Sequence, residues 1–117
     1  MPRGKSTPPS VWQLAKKLAL ALPGVEVGTS YGTPALRVKK KFIARLWEDG
    51  ETLVLKLDFD RREALLAADP DVFFTTPHYD GYPSVLIRLP KIDPARLEEL
   101  LHEAWQIAAP KRLRADI

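Results

Sequence analysis

Phe42-Ile43-Ala44-Arg45-Leu46-Trp47-Glu48-Asp49-Gly50-Glu51-Thr52-Leu53-Val54-Leu55-Lys56-Leu57 alternates apolar and polar side chains on both sides of an Asp-Gly pair. Asp-Gly is what a two-residue type I′ turn demands, because both central residues of that turn need a positive φ. Pairing Glu48 with Glu51 then sets Leu46 opposite Leu53, Ala44 opposite Leu55 and Phe42 opposite Leu57, all on one side of the sheet. The other side receives Ile43 beside Lys56, Arg45 beside Val54, and Trp47 beside Thr52. One face of this hairpin asks for a core, and the other mixes cations, an indole and aliphatics.

Working outward, Val11, Leu14, Ala15, Leu18, Ala21 and Leu22 repeat at helical spacing behind Ser10, a candidate N-cap whose capping-box partner is Gln13. Leu22-Pro23-Gly24 stops that helix, and Val25–Ser30 reads as a strand. Tyr31-Gly32-Thr33-Pro34 turns the chain into a second strand, Ala35–Val38. Beyond the hairpin, Asp60 with Glu63 opens a short helix that ends before Asp69-Pro70, and Val72–Thr75 reads as a brief strand. Val85, Ile87 and Leu89 mark another strand. Asp93-Pro94 then caps a last helix whose stripe is Leu97, Leu100, Leu101, Ala104, Trp105 and Ala108, and Pro110 ends it. Such an order describes an α+β fold: an antiparallel sheet with helices packed on one face.

The 117 residues suit one domain, placed at 10–113, with flexible tails at 1–9 and 114–117. There is no cysteine, which removes disulfides, thiolate metal sites and a cysteine nucleophile. No apolar run is long enough to cross a bilayer and no signal peptide is apparent, so a cytoplasmic protein with no membrane partner is expected. The net charge of +3 is unevenly spread: residues 1–47 carry nine Lys/Arg against the single Glu26, a charge of +8, while 48–117 carry nine bases and fourteen acids, −5. That asymmetry suits a basic face for an anionic partner, unless folding mixes the charges again.

Three stretches together resemble the MmcQ/YjbR family of small bacterial proteins: Gly28-Thr29-Ser30-Tyr31-Gly32-Thr33-Pro34-Ala35-Leu36-Arg37-Val38, the run from Thr75-Thr76-Pro77-His78-Tyr79-Asp80-Gly81-Tyr82-Pro83 into Ser84–Leu89, and Ala109-Pro110-Lys111-Arg112-Leu113. The resemblance spans roughly residues 11 to 113. It implies a CyaY-like, secretion-chaperone-like α+β fold, and the family carries a DNA-binding label. The CyaY-like architecture also resembles frataxins, whose iron site depends on an acidic ridge on the first helix. Here the charges between Val11 and Leu22 are only Lys16 and Lys17, and the two histidines are far apart, so no metal and no cofactor are expected.

The expected nucleic-acid contacts are Arg37, Arg45, Lys56 and Arg88 on the uncovered sheet face, with Trp47 there as the stacking residue, and Lys39, Lys40 and Lys41 in a neighbouring loop. Lys39-Lys40-Lys41 sits in a tight strand connection where one residue needs a positive φ, and it reads as a phosphate grip or as a charged turn that discourages edge aggregation. Lys111–Arg114 could add a sequence-blind grip or be a solvated tail. Tyr31, His78, Tyr79 and Tyr82 could line a ligand pocket, or His78 and the tyrosines could simply satisfy an unusual turn. His102, among Glu99 and Glu103, reads as a surface residue. No nucleophile, paired carboxylate or phosphate loop accompanies His78, so a non-catalytic protein is expected, not an enzyme. The leading reading is a DNA-binding protein; the alternative is a protein-interaction or small-ligand module, including a homodimer through the same face.

Overall fold

A computed structural model describes residues 11–114, with the side chain of Arg114 excepted. The expected Ser10 cap and the 1–9 tail lie outside the described residues, as does the chain after Arg114. Element order is α1 (Val11–Leu20), β1 (Val25–Ser30), β2 (Thr33–Val38), β3 (Lys41–Leu46), β4 (Thr52–Lys56), α2 (Phe59–Ala68), β5 (Phe73–Phe74), β6 (Ser84–Arg88), α3 (Pro94–Ala108) and α4 (Lys111–Arg114), with a 3-10 turn at Leu89–Lys91. The six strands form one antiparallel sheet in the order β1-β2-β3-β4-β6-β5. The fold is α+β, as the alternation of elements indicated.

The core lies between one sheet face and the helices. Leu36, Val38, Ala44, Leu46, Leu53, Leu55, Val85 and Ile87 come from the sheet, and the whole predicted stripe of α3 is buried against them. Asp93 caps α3 by accepting from the Ala95 and Arg96 amides, with Pro94 in the first turn, as expected. On α1 the buried line is Trp12, Ala15 and Ala19, so the helix is rotated from the predicted stripe: Ala21 is exposed, and Leu14 is half-buried. The large indole of Trp12 takes the central place. The cap of α2 is Asp58, not Asp60, because the Asp58 carboxylate accepts from the Arg61 amide, while Glu63 pairs with Arg62 instead of closing a box. His102 is not a surface residue either: its ring stacks on Trp105 with centroids 5.7 Å apart, and its Nε2 is buried without a hydrogen-bond partner in the structure.

The hairpin keeps its predicted core register, with Ala44 opposite Leu55 and Leu46 opposite Leu53, but not its predicted turn. Trp47 donates to the Thr52 carbonyl at 2.7 Å, so the connection is the four residues between them. Gly50 has φ 74, whereas Asp49 is not among the residues of positive φ, so the turn is not type I′. The register survives because two- and four-residue connections keep the same parity. What selects the longer one is the Asp49 carboxylate, which accepts from the Glu51 and Thr52 amides, both at 2.9 Å, and from the Thr52 hydroxyl at 2.7 Å.

Burial pushes the Asp49 carboxyl up, but the hydrogen bonds from the Thr52 side chain and the following amides more than offset this and hold it below the usual carboxylate range. A carboxylate depressed by folding contributes stability that is present above its unfolded pKa of about 4 and is lost as pH falls through the lower folded value. Asp49→Asn is therefore expected to unfold at lower denaturant than the parent at about pH 7 and to converge with it once the pH falls below the depressed folded value. Identical midpoints at neutral pH would show that the carboxylate does not hold this turn.

A bulge changes the far end of β3. Leu36 pairs with Ala44 but Arg37 pairs with Phe42, leaving Ile43 as the extra residue. Ile43 joins Ala44 in the core, and Phe42 passes to the opposite face, reversing the predicted sides of both residues. Lys111–Arg114 is a helical turn and not a loose basic tail: Leu113 packs on Gly24, which has φ +76 and whose added Cβ would lie 2.8 Å from Leu113 Cδ1.

Candidate functional site

The sheet face away from the core carries Ala35, Arg45, Val54 and Leu86 in one row across β2, β3, β4 and β6. All four are buried, so this face is not bare as expected. Its cover is the connection from β5 to β6, Thr75–Pro83. Pro77, Gly81 and Pro83 force that segment to double back: the Tyr79 amide bonds to the Thr76 carbonyl, the Tyr82 amide bonds to the Tyr79 carbonyl, and Gly81 has φ 90. Two anchors hold the segment down. The Leu57 amide bonds to the Pro83 carbonyl at 2.8 Å. Arg62 of α2, itself buried, donates from Nε to the Ser84 carbonyl at 2.8 Å and from Nη2 to Thr75 Oγ1 at 3.1 Å, with Asp80 Oδ1 at 4.0 Å.

Between this segment and the sheet lies a half-open basin of about 370 Å³. Its floor is Val54, Ser84 and Arg45, and its walls are Phe42, Tyr31, His78, Tyr79 and Tyr82. Arg45 is only 6% exposed. Its Nη1 donates to Thr33 Oγ1 at 2.8 Å and to the Leu46 carbonyl at 3.4 Å, and its Nη2 reaches the Tyr79 hydroxyl at 3.3 Å. Glu48 Oε2 balances the charge from the exposed rim at 3.5 Å.

The roof is unusual. Tyr31 and Gly32 form the two-residue connection from Ser30 to Thr33, with φ 55 and 81. A left-handed conformation costs a non-glycine residue roughly 1–2 kcal/mol, and an aromatic one is a clear outlier there. Tyr31 is nonetheless 87% exposed, with the Arg45 guanidinium carbon 5.4 Å from its ring centroid, so little packing offsets the strain. His78 sets its ring edge-on to Tyr79 at 4.7 Å, and both His78 and Tyr82 are exposed on the rim. Backbone strain of this kind clusters at ligand contacts in proteins generally.

Apart from Arg37, the residues expected on the sheet face and the lysine loop divide into three groups. Arg45 joins the four residues of the expected pocket, so two separate sequence readings meet at one place. Arg37 lies across Gly28, whose added Cβ would sit 3.4 Å from Arg37 Nη1, and donates to the Thr29 carbonyl at 3.2 Å. Trp47 and Arg88 belong to a different groove beside Asp49 and Glu51, where Trp47 packs edge-on to Phe74 and Arg88 covers that ring at 4.1 Å while donating to the Pro70 and Asp71 carbonyls. An indole packed there, beside carboxylates, is not free to stack on a phosphate-bearing strand.

Lys39, Lys40, Lys41 and Lys56 form the third group, all exposed. Val38 pairs with Lys41, so Lys39 and Lys40 are the two central residues of a tight hairpin, with φ 49 and 73. Both require a positive φ where one was expected. Lys41 and Lys56 line another groove with Ala104, Ile107 and Ala108 of α3, and Phe42 lines both that groove and the basin. Sequence reasoning missed Phe42, Ser30, Val54 and Ser84 as lining residues and Arg62 as the anchor. The bulge that turns Phe42 outward leaves no mark in the alternation, but Arg62 could have been suspected as a cation on the buried side of a short helix.

Among the described residues no group of three His, Asp or Glu side chains is placed to hold a metal ion, and no helix is long and apolar enough to cross a membrane. A family model described as YjbR matches residues 20–107. Uncharacterised proteins of Mycobacterium tuberculosis and Mycobacterium bovis are each 60% identical to this chain over 50 residues, which is 43% of this chain and 39% of theirs, so the match spans well under half of those relatives. A crystal structure of a Deinococcus radiodurans protein, DR2400, with a DUF419 domain, superposes with a TM-score of 0.72 at 22% identity, covering 92% of this chain and 86% of that one. At that identity the likeness is one of fold.

Proposed function

The chain belongs to the YjbR family, and from that premise and the geometry of the basin we propose that the protein binds single-stranded nucleic acid without altering it chemically. The observation that carries this reading is that Phe42 lines two neighbouring depressions, the basin with exposed Tyr31, His78 and Tyr82 and the groove between β3, β4 and α3 with exposed Lys41 and Lys56. Unpaired bases stack on aromatic faces while phosphates seek cations, and a single strand needs both along one track. Lys39 and Lys40 extend the cationic end on a turn that two lysines hold only under strain. The originally expected platform, Trp47 on a bare sheet, gives way to this basin because the β5–β6 connection covers the sheet. Catalysis is not part of the reading: the basin's lining includes no carboxylate, and the ring of His78 packs edge-on against Tyr79.

The test is fluorescence anisotropy with labelled oligothymidylate across a salt series, on the parent and on the double variant Lys39→Asn/Lys40→Gly. Log affinity should fall with log salt by about 0.7 per phosphate contact, and the double variant should lose about two contacts' worth of slope. The same variant should melt higher than the parent, because asparagine and glycine accept the positive φ that lysine resists. Loss of binding therefore cannot be ascribed to unfolding. If neither single- nor double-stranded probes bind the parent at about 50 mM salt, the proposal falls.

A further inference from the structure

The inner surface of the basin is lopsided in its hydrogen-bonding chemistry. Its lining residues are Ser30, Tyr31, Phe42, Arg45, Val54, His78, Tyr79, Tyr82 and Ser84, with no Asp, Glu, Asn or Gln among them. A guanidinium offers five N–H groups and no acceptor. Two on Arg45 Nη1 are taken by Thr33, the Leu46 carbonyl and Glu48, and one on Nη2 by Tyr79. The Nε hydrogen and the second Nη2 hydrogen have no further hydrogen bond among the described residues. The Tyr79 oxygen, by accepting from Arg45, leaves its own proton to donate. Arg45 Nε is not sealed from solvent and the basin is half-open, so an incoming acceptor can reach these donors.

We infer that the basin is the seat of a single unpaired base of the oxo type, thymine, uracil or guanine, whose exocyclic oxygen accepts from Arg45 and from the Tyr79 hydroxyl while Tyr31 and Tyr82 flank its ring. The inference rests on the single-strand reading and sharpens it by naming the base chemistry. Size agrees: the volume of about 370 Å³ lies at the small end of the range for ligand pockets and accommodates a base and its sugar. Geometry also agrees. The strained Tyr31 turn holds its ring over Arg45, so a planar group entering beneath it meets a π face and a guanidinium together. Where the substituent at C4 of a pyrimidine or C6 of a purine meets these donors, cytosine or adenine would direct an N–H₂ group at them, while the remaining carbonyl of cytosine lies beside its glycosidic bond and turned toward the sugar. Phe42 also lines the groove of Lys41 and Lys56, which would take the attached phosphates.

The test compares oligothymidylate, oligodeoxycytidylate and an abasic strand of equal length at one low salt concentration, using the parent, Tyr31→Gly and Arg45→Lys. The expected result for the parent is thymidylate bound about tenfold more tightly than cytidylate, the discrimination of a well-placed base contact. Tyr31→Gly should melt higher than the parent, since it relieves the positive φ, yet lose about tenfold in thymidylate affinity by removing a stacking face. Arg45→Lys should narrow the difference between thymidylate and cytidylate more than it lowers binding of the abasic strand. Equal binding of all three strands, unaffected by Tyr31→Gly, overturns the base pocket while leaving single-strand binding intact. Preference for cytidylate overturns it as well. Absence of binding by any strand defeats the underlying reading instead, so the two failures are separable.

Discussion

Trp105→Ala is expected to lower the unfolding free energy by about 3–5 kcal/mol, the range for deleting a large aromatic from a packed core. Trp105 is fully buried in the middle of the α3 stripe. Its indole N–H donates to the Pro23 carbonyl at 2.8 Å, tying α3 to the connection between α1 and β1, and His102 stacks on its other side. Truncation would open a cavity, strand the Pro23 carbonyl and leave His102 without its aromatic neighbour. For a domain whose total stability is about 5–15 kcal/mol, such a loss leaves little margin at physiological temperature. Trp105→Phe keeps most of the volume and removes the N–H, so it should cost less, about 1–2 kcal/mol. Chemical denaturation of the three proteins checks the pair, and a loss under about 2 kcal/mol for the alanine variant would mean that α1 and α3 repack around the gap.

Arg62→Leu is the second large effect, and its consequence is local as well as global. Arg62 connects α2 to the covering segment through the Ser84 carbonyl and Thr75 Oγ1, and its charge is met by Glu63, with Asp80 farther off. Leucine preserves burial but leaves the Ser84 carbonyl without this donor, for an expected loss of about 2–4 kcal/mol. The Thr75–Pro83 segment should loosen before the core does, because its other backbone anchor is a single hydrogen bond from Leu57. Amide hydrogen exchange at Tyr79 and Tyr82 should accelerate while α3 remains protected at low denaturant. Unchanged exchange in that segment would show that the sheet holds it without α2. Oligonucleotide affinity should fall in parallel, since Tyr79 and Tyr82 form one wall of the basin.

Much of the fold was legible because it rests on local patterns. The α3 stripe and its Asp93-Pro94 start, the stop at Leu22-Pro23-Gly24 and the pairing of Leu46 with Leu53 follow from periodicity, capping and parity, which act within a few residues. The α2 cap was misplaced by two residues because Asp58 and Asp60 can both accept from helix amides, and the choice depends on where Leu57 leaves the sheet. The type I′ turn failed for a related reason: Asp49 has a side chain that can close a longer turn by itself. The two sides of Phe42 and Ile43 were reversed because one extra residue inverts every later position on a strand.

The candidate site was legible as residues and not as a place. Tyr31, His78, Tyr79, Tyr82 and Arg45 were each singled out from their types and spacing, but as two unrelated groups. What joins them is a segment folding back over the sheet, held by a buried arginine from another helix.

Chain order and side-chain chemistry alone determined the α+β class, the strands and helices, the charge imbalance and the list of aromatic and cationic candidates, because those follow from short-range steric and hydrophobic preferences. Tertiary structure alone decided which face is covered, that Arg45 lies inside while the lysines stay out, and that Trp47 turns toward Phe74. These depend on contacts between residues far apart in sequence, where a single bulge or one buried arginine outweighs any local preference.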